Sequence, residues 1–291
     1  MKIRGLKLGL ALSCGLLAAS TQAATAEKPA NKPFADADHV IYVPLHGDSR
    51  SLRSLLKATL MTYHGGPVIS SAKVVFLFWG PSFNNAASPD YAYARTLQAY
   101  RNQLGSTPEW SVVQPYSIYF PTNLGGGPPD WFDTSTPPTN VTDSTVRSEV
   151  NRYFSGGHGA YNSSAIYEVV IPKTSYSSSG TSTSCGGPGL AYCAYHGSYS
   201  GTSGTVLYSI EPYPSCNGCK VSGWSDVQNQ EHFVFNETCN TVTDPVGTGW
   251  YDSSGYGVCD KCAWSPPPFL DGGYGYQYVW SNANMACVTK R

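Results

Sequence analysis

Charged residues are unusually few in this sequence. Asp, Glu, Lys and Arg make up 13% of the 291 residues, against roughly 25% in ordinary globular proteins. The 18 Lys and Arg nearly balance the 19 Asp and Glu, for a net charge of −1. A chain without a basic surplus lacks the attraction that holds nucleic acid or an anionic membrane surface. We therefore expect neither of these partners, and an uncharged one fits the composition better.

Long apolar runs are missing after the first residues. Lys2, Arg4 and Lys7 precede an apolar run over 8–19, and small residues follow near 23–26. This is the pattern of a signal peptide, here 1–26, and the run is shorter than the ~20 residues that a membrane helix needs. Removing it takes three cations from the 18, which leaves 15 against 19 acidic residues and a net charge of −4. We expect a secreted protein that no membrane retains after cleavage.

Cysteine is missing between Cys14 and Cys185, so the N-terminal half must depend on its apolar core. The eight cysteines that follow are Cys185, Cys193, Cys216, Cys219, Cys239, Cys259, Cys262 and Cys287. An even set in an exported chain predicts disulfides, and the sequence does not choose among the pairings. The two C-x-x-C pairs, 216–219 and 259–262, leave a structural zinc site open as the alternative.

Strand and helix patterns alternate along the chain. The predicted elements are strands at 41–43, 74–79, 165–171, 192–197 and 205–210, and helices at 51–61, 88–105, 142–154 and 225–242. Within the helix at 88–105 the apolar stripe is Tyr93, Leu97, Tyr100 and Leu104, with Ser88 as its cap and Gly105 at its end. We expect an α/β or α+β fold. Residues 27–60 form an N-terminal arm or propeptide, and 61–291 form one domain whose part from 174 onward is loop-rich and disulfide-rich.

Signatures of common hydrolases are absent from the sequence. It contains no G-x-S-x-G element, so a serine nucleophile has no support. Two carboxylates for glycoside hydrolysis, such as Glu168 and Glu211, can be chosen, but no pattern singles them out.

The segment Asn236-Glu-Thr-Cys-Asn240 has the spacing of a zinc-hydrolase helix without its ligands. Such a helix carries His at i, Glu at i+1 and a ligand at i+4, because i and i+4 share one face. Here both ligand positions are amides, which are poor zinc ligands. Without a metal, Glu237 has no activated water to deprotonate. We therefore expect Glu237 to be a vestigial catalytic residue and no metal beside it.

Several motifs together resemble the phosphate-induced protein (EXORDIUM-like) family and its bacterial relatives over about 60–288. They are Tyr63-His-Gly-Gly-Pro-Val68, Cys193-Ala-Tyr-His196, Thr243-Asp-Pro245, Gly249-Trp-Tyr-Asp252, Asp260-Lys-Cys-Ala-Trp264 and Trp280-Ser-Asn-Ala283. The resemblance implies an exported, cell-wall or extracellular protein with a zincin-like helix of the form H-E-x-x-E-x-x-T-D-P and a later Glu.

Placed on this sequence, the metal-type positions of that family pattern are mostly lost. The His falls on Asn236, the second Glu on Asn240 and the later Glu on Gly257, and only Glu237 is kept. Thr243, Asp244, Pro245, Asp260 and Cys262 are also kept. The resemblance therefore implies a degenerate member.

Alternatives remain open for the other polar residues. A rewired zinc site could use His232, His196 and Asp244, although His232 is otherwise expected to be an exposed helix residue. Asp252 and Asp260 could bind calcium or could be structural carboxylates. His64 could line a pocket, which its two glycines would open, or could close a turn. Seven loop tyrosines could be binding platforms or packing residues: Tyr192, Tyr195, Tyr199, Tyr251, Tyr256, Tyr274 and Tyr276.

Three functions from different classes follow. The first is a non-catalytic zincin-like scaffold that binds an extracellular or cell-wall partner through residues such as His64, His196, Asp244, Asp252 and Asp260, the partner being a polysaccharide or a peptide. The second is a secreted metal-dependent peptidase with a rewired site, which would need zinc or calcium. The third is a structural envelope protein. We expect the first, in the extracellular space, cell wall or periplasm, with no cofactor.

Overall fold

A computed structural model describes residues 40–47, 59–117 and 127–291. The signal peptide predicted at 1–26 and most of the helix predicted at 51–61 lie outside these ranges. The strands in chain order are β1 (Ile41–Pro44), β2 (Thr62–Tyr63), β3 (Lys73–Trp79), β4 (Trp131–Asp133), β5 (Asn140–Thr142), β6 (Ala165–Val170), β7 (Tyr176–Ser179), β8 (Ser182–Thr183), β9 (Tyr192–Gly201), β10 (Gly204–Glu211), β11 (Trp250–Tyr251), β12 (Phe269–Asp271), β13 (Tyr274–Tyr276), β14 (Val279–Ser281) and β15 (Ala286–Val288). The helices are α1 (Pro89–Leu104), α2 (Pro108–Ser111), α3 (Asp143–Ser155) and α4 (Asp226–Thr243).

The central element is a mixed sheet of six strands in the order β1-β9-β10-β6-β3-β4. Strands β10, β6, β3 and β4 run parallel to one another. At the side of β10, β9 pairs with it in the antiparallel direction, and β1 pairs antiparallel with β9. Parallel strands are buried on both faces and therefore carry continuous apolar runs. The runs predicted at 74–79 and 165–171 are two of these strands, so the predicted mixture of α and β elements is confirmed.

Helices cover both faces of this sheet. On one face α1 and α4 pack over Phe76, Phe78 and Ile166, and on the other α3 packs over Val75 and Tyr167. The alternation of side chains along each strand sends neighbouring residues to opposite faces. One strand can therefore contribute side chains to the two hydrophobic cores, one on each face of the sheet.

The predicted cap of α1 is confirmed, and α3 is capped as well. Ser88 caps α1 by accepting a hydrogen bond from the amide of Asp90, and Thr142 caps α3 by accepting one from Thr145. The predicted apolar stripe of α1 is buried, as are the inward-facing residues of α3. Caps and periodicity are local properties, which is why the sequence predicts them well.

Helix α4 is buried on every side. Ser225 and Gln228 form a capping box at its start, and every residue from Asn229 to Thr243 is buried. The sheet, α1 and β13 surround it. The expectation that His232 is an exposed helix residue is therefore wrong, because its position puts it under Trp264 rather than toward solvent.

Four disulfides crosslink the C-terminal part. The pairs are Cys185–Cys216, Cys193–Cys219, Cys239–Cys259 and Cys262–Cys287. Each cysteine of a C-x-x-C pair bonds outside its own pair, so the zinc alternative for these cysteines is wrong. Most of the remaining structure here consists of short two-stranded ladders, β12 with β13 and β14 with β15. The predicted disulfide-rich, loop-rich character of this part is confirmed.

The segment predicted as an arm or propeptide contributes to the sheet. Strand β1 pairs with β9, with Ile41 opposite His196. The description of 27–60 as an arm is therefore incomplete, because the sheet would lose an edge strand without 41–44. Among the described residues, no helix is both long and apolar enough to cross a bilayer.

The disulfide between Cys239 and Cys259 joins α4 to the segment that faces it, over a sequence separation of 20 residues. We expect the double substitution Cys239→Ala with Cys259→Ala to lower the free energy of unfolding by about 3 kcal/mol, because the unfolded chain regains the entropy of that loop. Guanidinium unfolding followed by circular dichroism measures it. A variant as stable as the parent would show that packing alone holds α4.

Candidate functional site

A row of polar side chains crosses the middle of the sheet beneath α4. His196 on β9 lies opposite Ser209 on β10, and Ser209 lies opposite Glu168 on β6. All three are buried. Charged and polar groups are found so deep only where partners match them, and α4 supplies those partners.

Three side chains of α4 bond to the sheet. The Glu237 carboxylate lies 2.6 Å from Nδ1 of His196, and the Thr238 hydroxyl donates to Glu168 over 2.8 Å. Two turns earlier, the Gln230 amide donates to Glu211 over 2.7 Å. Carboxylates from two strands and one helix thus meet in the same interior layer.

Burial makes these carboxyl groups hold their protons. It raises the pKa of Glu168 to about 8. The pKa of Glu211 is raised well above its usual value by burial and then by Glu168. Burial raises the pKa of Glu237 in the same way, and the charges of Glu211, Asp260 and Glu168 add to the effect. A carboxyl group that keeps its proton is a weak base, so Glu237 is poorly suited to deprotonate water.

The amides at the two lost ligand positions bond to each other and to the opposite segment. Nδ2 of Asn240 donates to Asn236 over 3.0 Å and to Asp260 over 2.7 Å. Oδ1 of Asn240 accepts from the backbone of Cys259 over 3.0 Å, and Nδ2 of Asn236 donates to Gln277 over 3.1 Å. We call Asn236, Asn240, Asp260 and Gln277 the amide network. It occupies the place where the resemblance implies a metal.

Gly257 packs closely against Asn240 and Asp260 of the amide network. A Cβ on this residue would lie 2.7 Å from Oδ1 of Asn240 and 3.0 Å from Oδ2 of Asp260. The Glu that the resemblance implies here therefore has no room. The space that remains, which His196 and Asp244 also line, is about 10 Å³, roughly enough for one water molecule.

The donors in this region do not fit a zinc ion. Within the described ranges, only Cys185, Cys216 and Cys219 bring three imidazole, thiol or carboxylate ligand atoms within 4.8 Å of one another, and these cysteines are in disulfides. The rewired set of His232, His196 and Asp244 is therefore not assembled as a group of three.

His232 packs against the ring of Trp264. Their centroids are 4.8 Å apart with the ring planes at 89°. Burial lowers the pKa of His232 to about 4, although Gln277 and the Ala263 backbone act against this shift. The imidazole is therefore neutral at neutral pH and serves as a packing residue.

Asp252 is a structural carboxylate. Its Oδ2 accepts from the ammonium group of Lys261 over 2.8 Å and from Thr59 over 2.7 Å, and its Oδ1 accepts from the backbone of Ser254 and Tyr256. A buried cation of the protein thus already neutralises Asp252. Of the two candidate calcium ligands, Asp260 belongs to the amide network, so both are bonded by protein groups.

His64 links two of the motifs that are far apart in the chain. Its ring stacks on Tyr251 at 3.5 Å, and Nε2 lies 3.3 Å from the carbonyl oxygen of the same residue. Gly66 approaches Thr248 so closely that a Cβ would lie 2.0 Å from its hydroxyl. Asp244, at the end of α4, accepts from the amide of Gly249 over 2.6 Å. The quoted motifs at 63–68, 243–245 and 249–252 therefore meet in space.

The seven loop tyrosines mostly fill the interior. Those that are buried are Tyr192, Tyr195, Tyr256 and Tyr276, and those that are partly exposed are Tyr199, Tyr251 and Tyr274. All but Tyr256 lie on strands rather than in loops: Tyr192, Tyr195 and Tyr199 on β9, Tyr251 on β11, and Tyr274 and Tyr276 on β13. Their burial favours the packing interpretation.

Sequence reasoning missed the polar layer beneath α4. It set Glu168 and Glu211 aside as an arbitrary pair, and it did not single out Ser209 or Gln277. A signal was present, because Glu168 interrupts an apolar run predicted to be a buried strand, and a buried carboxylate needs partners. For Gln277 the sequence carried no such signal.

No protein-family model, curated protein or solved structure matches this chain. The site is therefore interpreted from its own residues, and the family resemblance rests on the motifs alone.

The polar layer predicts how stability depends on pH. A Glu has a pKa near 4.5 when free and about 8 at position 168. The folded chain thus keeps a proton that the unfolded chain has released, and stability falls as the pH rises from about 4.5 to about 8. We expect Glu168→Gln to reduce this fall by up to about 1.4 kcal/mol per pH unit, measured by urea unfolding between pH 5 and 8.

The control for this measurement is Asp90→Asn, at the partly exposed start of α1. It should leave the slope between pH 5 and 8 unchanged. Parallel profiles for Glu168→Gln and the parent protein would contradict the proposed protonation of the polar layer.

The close contact between Gly257 and Asn240 predicts that substitutions at these two positions have non-additive effects on stability. We expect Gly257→Ala to destabilise the protein by about 1–3 kcal/mol, because the added methyl group must displace Asn240 or Asp260. In an Asn240→Ala background the same change should be milder, since the nearest atom is gone. Thermal unfolding of the four proteins in this cycle measures the coupling. Equal effects in both backgrounds would show that Asn240 does not fill the space.

Proposed function

We propose that this chain is an exported, EXORDIUM-like protein whose zincin-like helix is a non-catalytic scaffold, and that it acts by binding an uncharged extracellular partner. The observation that carries the proposal is the amide network, in which Asn236 and Asn240 bond to each other and to Asp260. These groups hold α4 against the facing segment, as a shared metal ion would in a peptidase.

The surroundings of Glu237 support the absence of catalysis. Its side chain is buried, bonds to His196 over 2.6 Å and has a raised pKa. A hydrolytic base must meet both water and substrate within hydrogen-bond reach. The small space beside Asn240, which His196 also lines, holds about one water molecule and leaves no room for a scissile bond.

The disulfides support export. Four such bonds are typical of proteins in oxidising compartments outside the cytosol. Together with the predicted signal peptide and the motif resemblance, they favour a cell-wall or extracellular location. The low charge content, 13% of residues, favours a partner that is recognised without ion pairs.

A second candidate function is a metal-dependent hydrolase, favoured by one observation. His196, Asp244 and Asp260 all line the small space beside Asn240, and each residue type is a potential metal ligand. Their ligand atoms would have to move closer to bind one ion, because they do not lie within 4.8 Å of one another as a group. A purely structural envelope protein is the third candidate.

Metal analysis separates the first two candidates. We expect purified protein incubated with zinc or calcium and then desalted to retain less than about 0.1 ion per chain, because the amides are poor ligands. Its melting temperature should be the same with and without a chelator, and mixed peptide substrates should remain intact. Inductively coupled plasma mass spectrometry and calorimetry make these measurements.

The matched variants for this experiment are Glu237→Gln and His196→Ala. Neither should change the metal content of a scaffold protein. One tightly held ion per chain, lost in His196→Ala, together with peptide cleavage that Glu237→Gln abolishes, would contradict the scaffold and establish the hydrolase.

A further inference from the structure

A cleft of about 370 Å³ opens beside the C-terminal end of α4, close to the lower limit for small-ligand sites. Four chain segments line it, at 67–70, 161–164, 205–207 and 245–246. Two of these segments overlap motifs of the family resemblance. Pro67 belongs to the motif at 63–68, and Pro245 ends the motif at 243–245. The cleft is distinct from the amide network and from the polar layer.

The lining combines apolar surface with hydroxyl groups. Ile69, Leu207 and Val246 give the apolar part, and Tyr161 contributes an aromatic ring. Four further lining residues carry hydroxyls: Ser70, Ser163, Ser164 and Thr205. None of the lining residues, all of which belong to the described ranges, is an Asp, Glu, Lys, Arg or His. A charged ligand would lose its hydration there without gaining a counter-charge.

The hydroxyls on this surface are not used by the fold. In the parts of the chain that the structure describes, the side chains of Ser70, Ser163, Ser164 and Thr205 make no hydrogen bond to other protein groups, whereas Tyr161 donates to the Thr205 carbonyl over 3.0 Å. A hydroxyl both donates and accepts. A set of hydroxyls around an apolar floor therefore matches a ligand that presents hydroxyls at its edge and C–H groups on its face.

Backbone bonding around the cleft argues against a peptide strand. A peptide that adds to a sheet needs an unpaired edge, and β10 is paired on both sides, Leu207 with Ser198 and with Ile166. The amide of Ile69 is also taken, since it donates to Val242 over 2.8 Å. What the cleft offers is side-chain hydroxyl groups and apolar surface, not a ladder of amides.

We propose that this cleft binds a neutral sugar unit of an extracellular polysaccharide. The inference rests on the proposed binding function and names its ligand class and its site. Tyr161 and the apolar lining residues would contact the C–H groups of the sugar, and the serine and threonine hydroxyls would exchange hydrogen bonds with its hydroxyls.

The test uses the full mature chain and arrays of soluble oligosaccharides. The neutral probes are gluco-, manno-, xylo- and galacto-tetrasaccharides, the anionic probe is a tetragalacturonate, and an array of uncharged peptides is run beside them. We expect at least one neutral tetrasaccharide to bind and the tetragalacturonate and the peptides not to bind. Isothermal titration calorimetry then gives the affinity of the best probe.

Two variants and a matched control locate the binding. Val246→Glu places a charge on the cleft and should weaken binding at least about tenfold, because the sugar cannot neutralise it. Ser163→Ala should weaken it less, by a few-fold. Leu270→Glu is the control, since Leu270 is 44% exposed and Val246 is 38% exposed, and Leu270 does not line the cleft. It should bind as the parent protein does.

Several outcomes would overturn this assignment. They are no binding to any neutral probe, binding to peptides or tetragalacturonate instead, and binding that Val246→Glu and Leu270→Glu leave equally unchanged. None of these outcomes requires a bound metal. The sugar-site proposal can therefore be wrong while the proposal of a non-catalytic scaffold remains valid. Conversely, chelator-sensitive cleavage of a bound probe would overturn the scaffold and leave the cleft as a substrate site.

Discussion

The burial of α4 on all sides is the constraint on which the rest of the structure depends. From Asn229 to Thr243 every residue of the helix is buried, yet it carries two Glu, four Asn or Gln amides and a His among its apolar residues. An unmatched polar group inside a protein costs about 1–3 kcal/mol. The sheet therefore places His196, Glu168 and Glu211 beneath the helix, and the disulfide-rich part places Asp260 and Gln277 on its other side.

This constraint explains how a helix with metal-type spacing remains folded without ligands for a metal. In a zinc enzyme the ion would neutralise the carboxylates and tie the helix to the facing segment. Here the Asn240 amide bonds to both Asn236 and Asp260, Cys239–Cys259 adds a covalent tie, and the carboxyl groups beneath the helix hold protons. Hydrogen bonds and a disulfide thus hold the helix to the facing segment, and protonation removes negative charge from the layer beneath it.

The same arrangement moves the proposed function away from the helix centre. The space beside Asn240 is about 10 Å³, whereas the end of α4 borders a cleft of about 370 Å³ that serine and threonine residues help to line. The turn at 63–66 and the segment after Asp244 shape this region, because β2 pairs with β11 and Gly66 approaches Thr248 closely. Residues that resemble those of an EXORDIUM-like protein are thus concentrated where the chain leaves α4.

The sequence by itself determined the strands at 74–79 and 165–171 and the capped helix at 88–105, because periodicity and caps are properties of neighbouring residues. Only the tertiary structure decided that His196, Ser209 and Glu168 form one row, that Gly257 lies against Asn240, which cysteines pair, and that His232 is buried. These contacts depend on strand order, on register and on what packs over a helix, and residues far apart in the chain produce them. A local pattern shows which face of an element is apolar, but the neighbour that covers that face is chosen only when the whole chain folds.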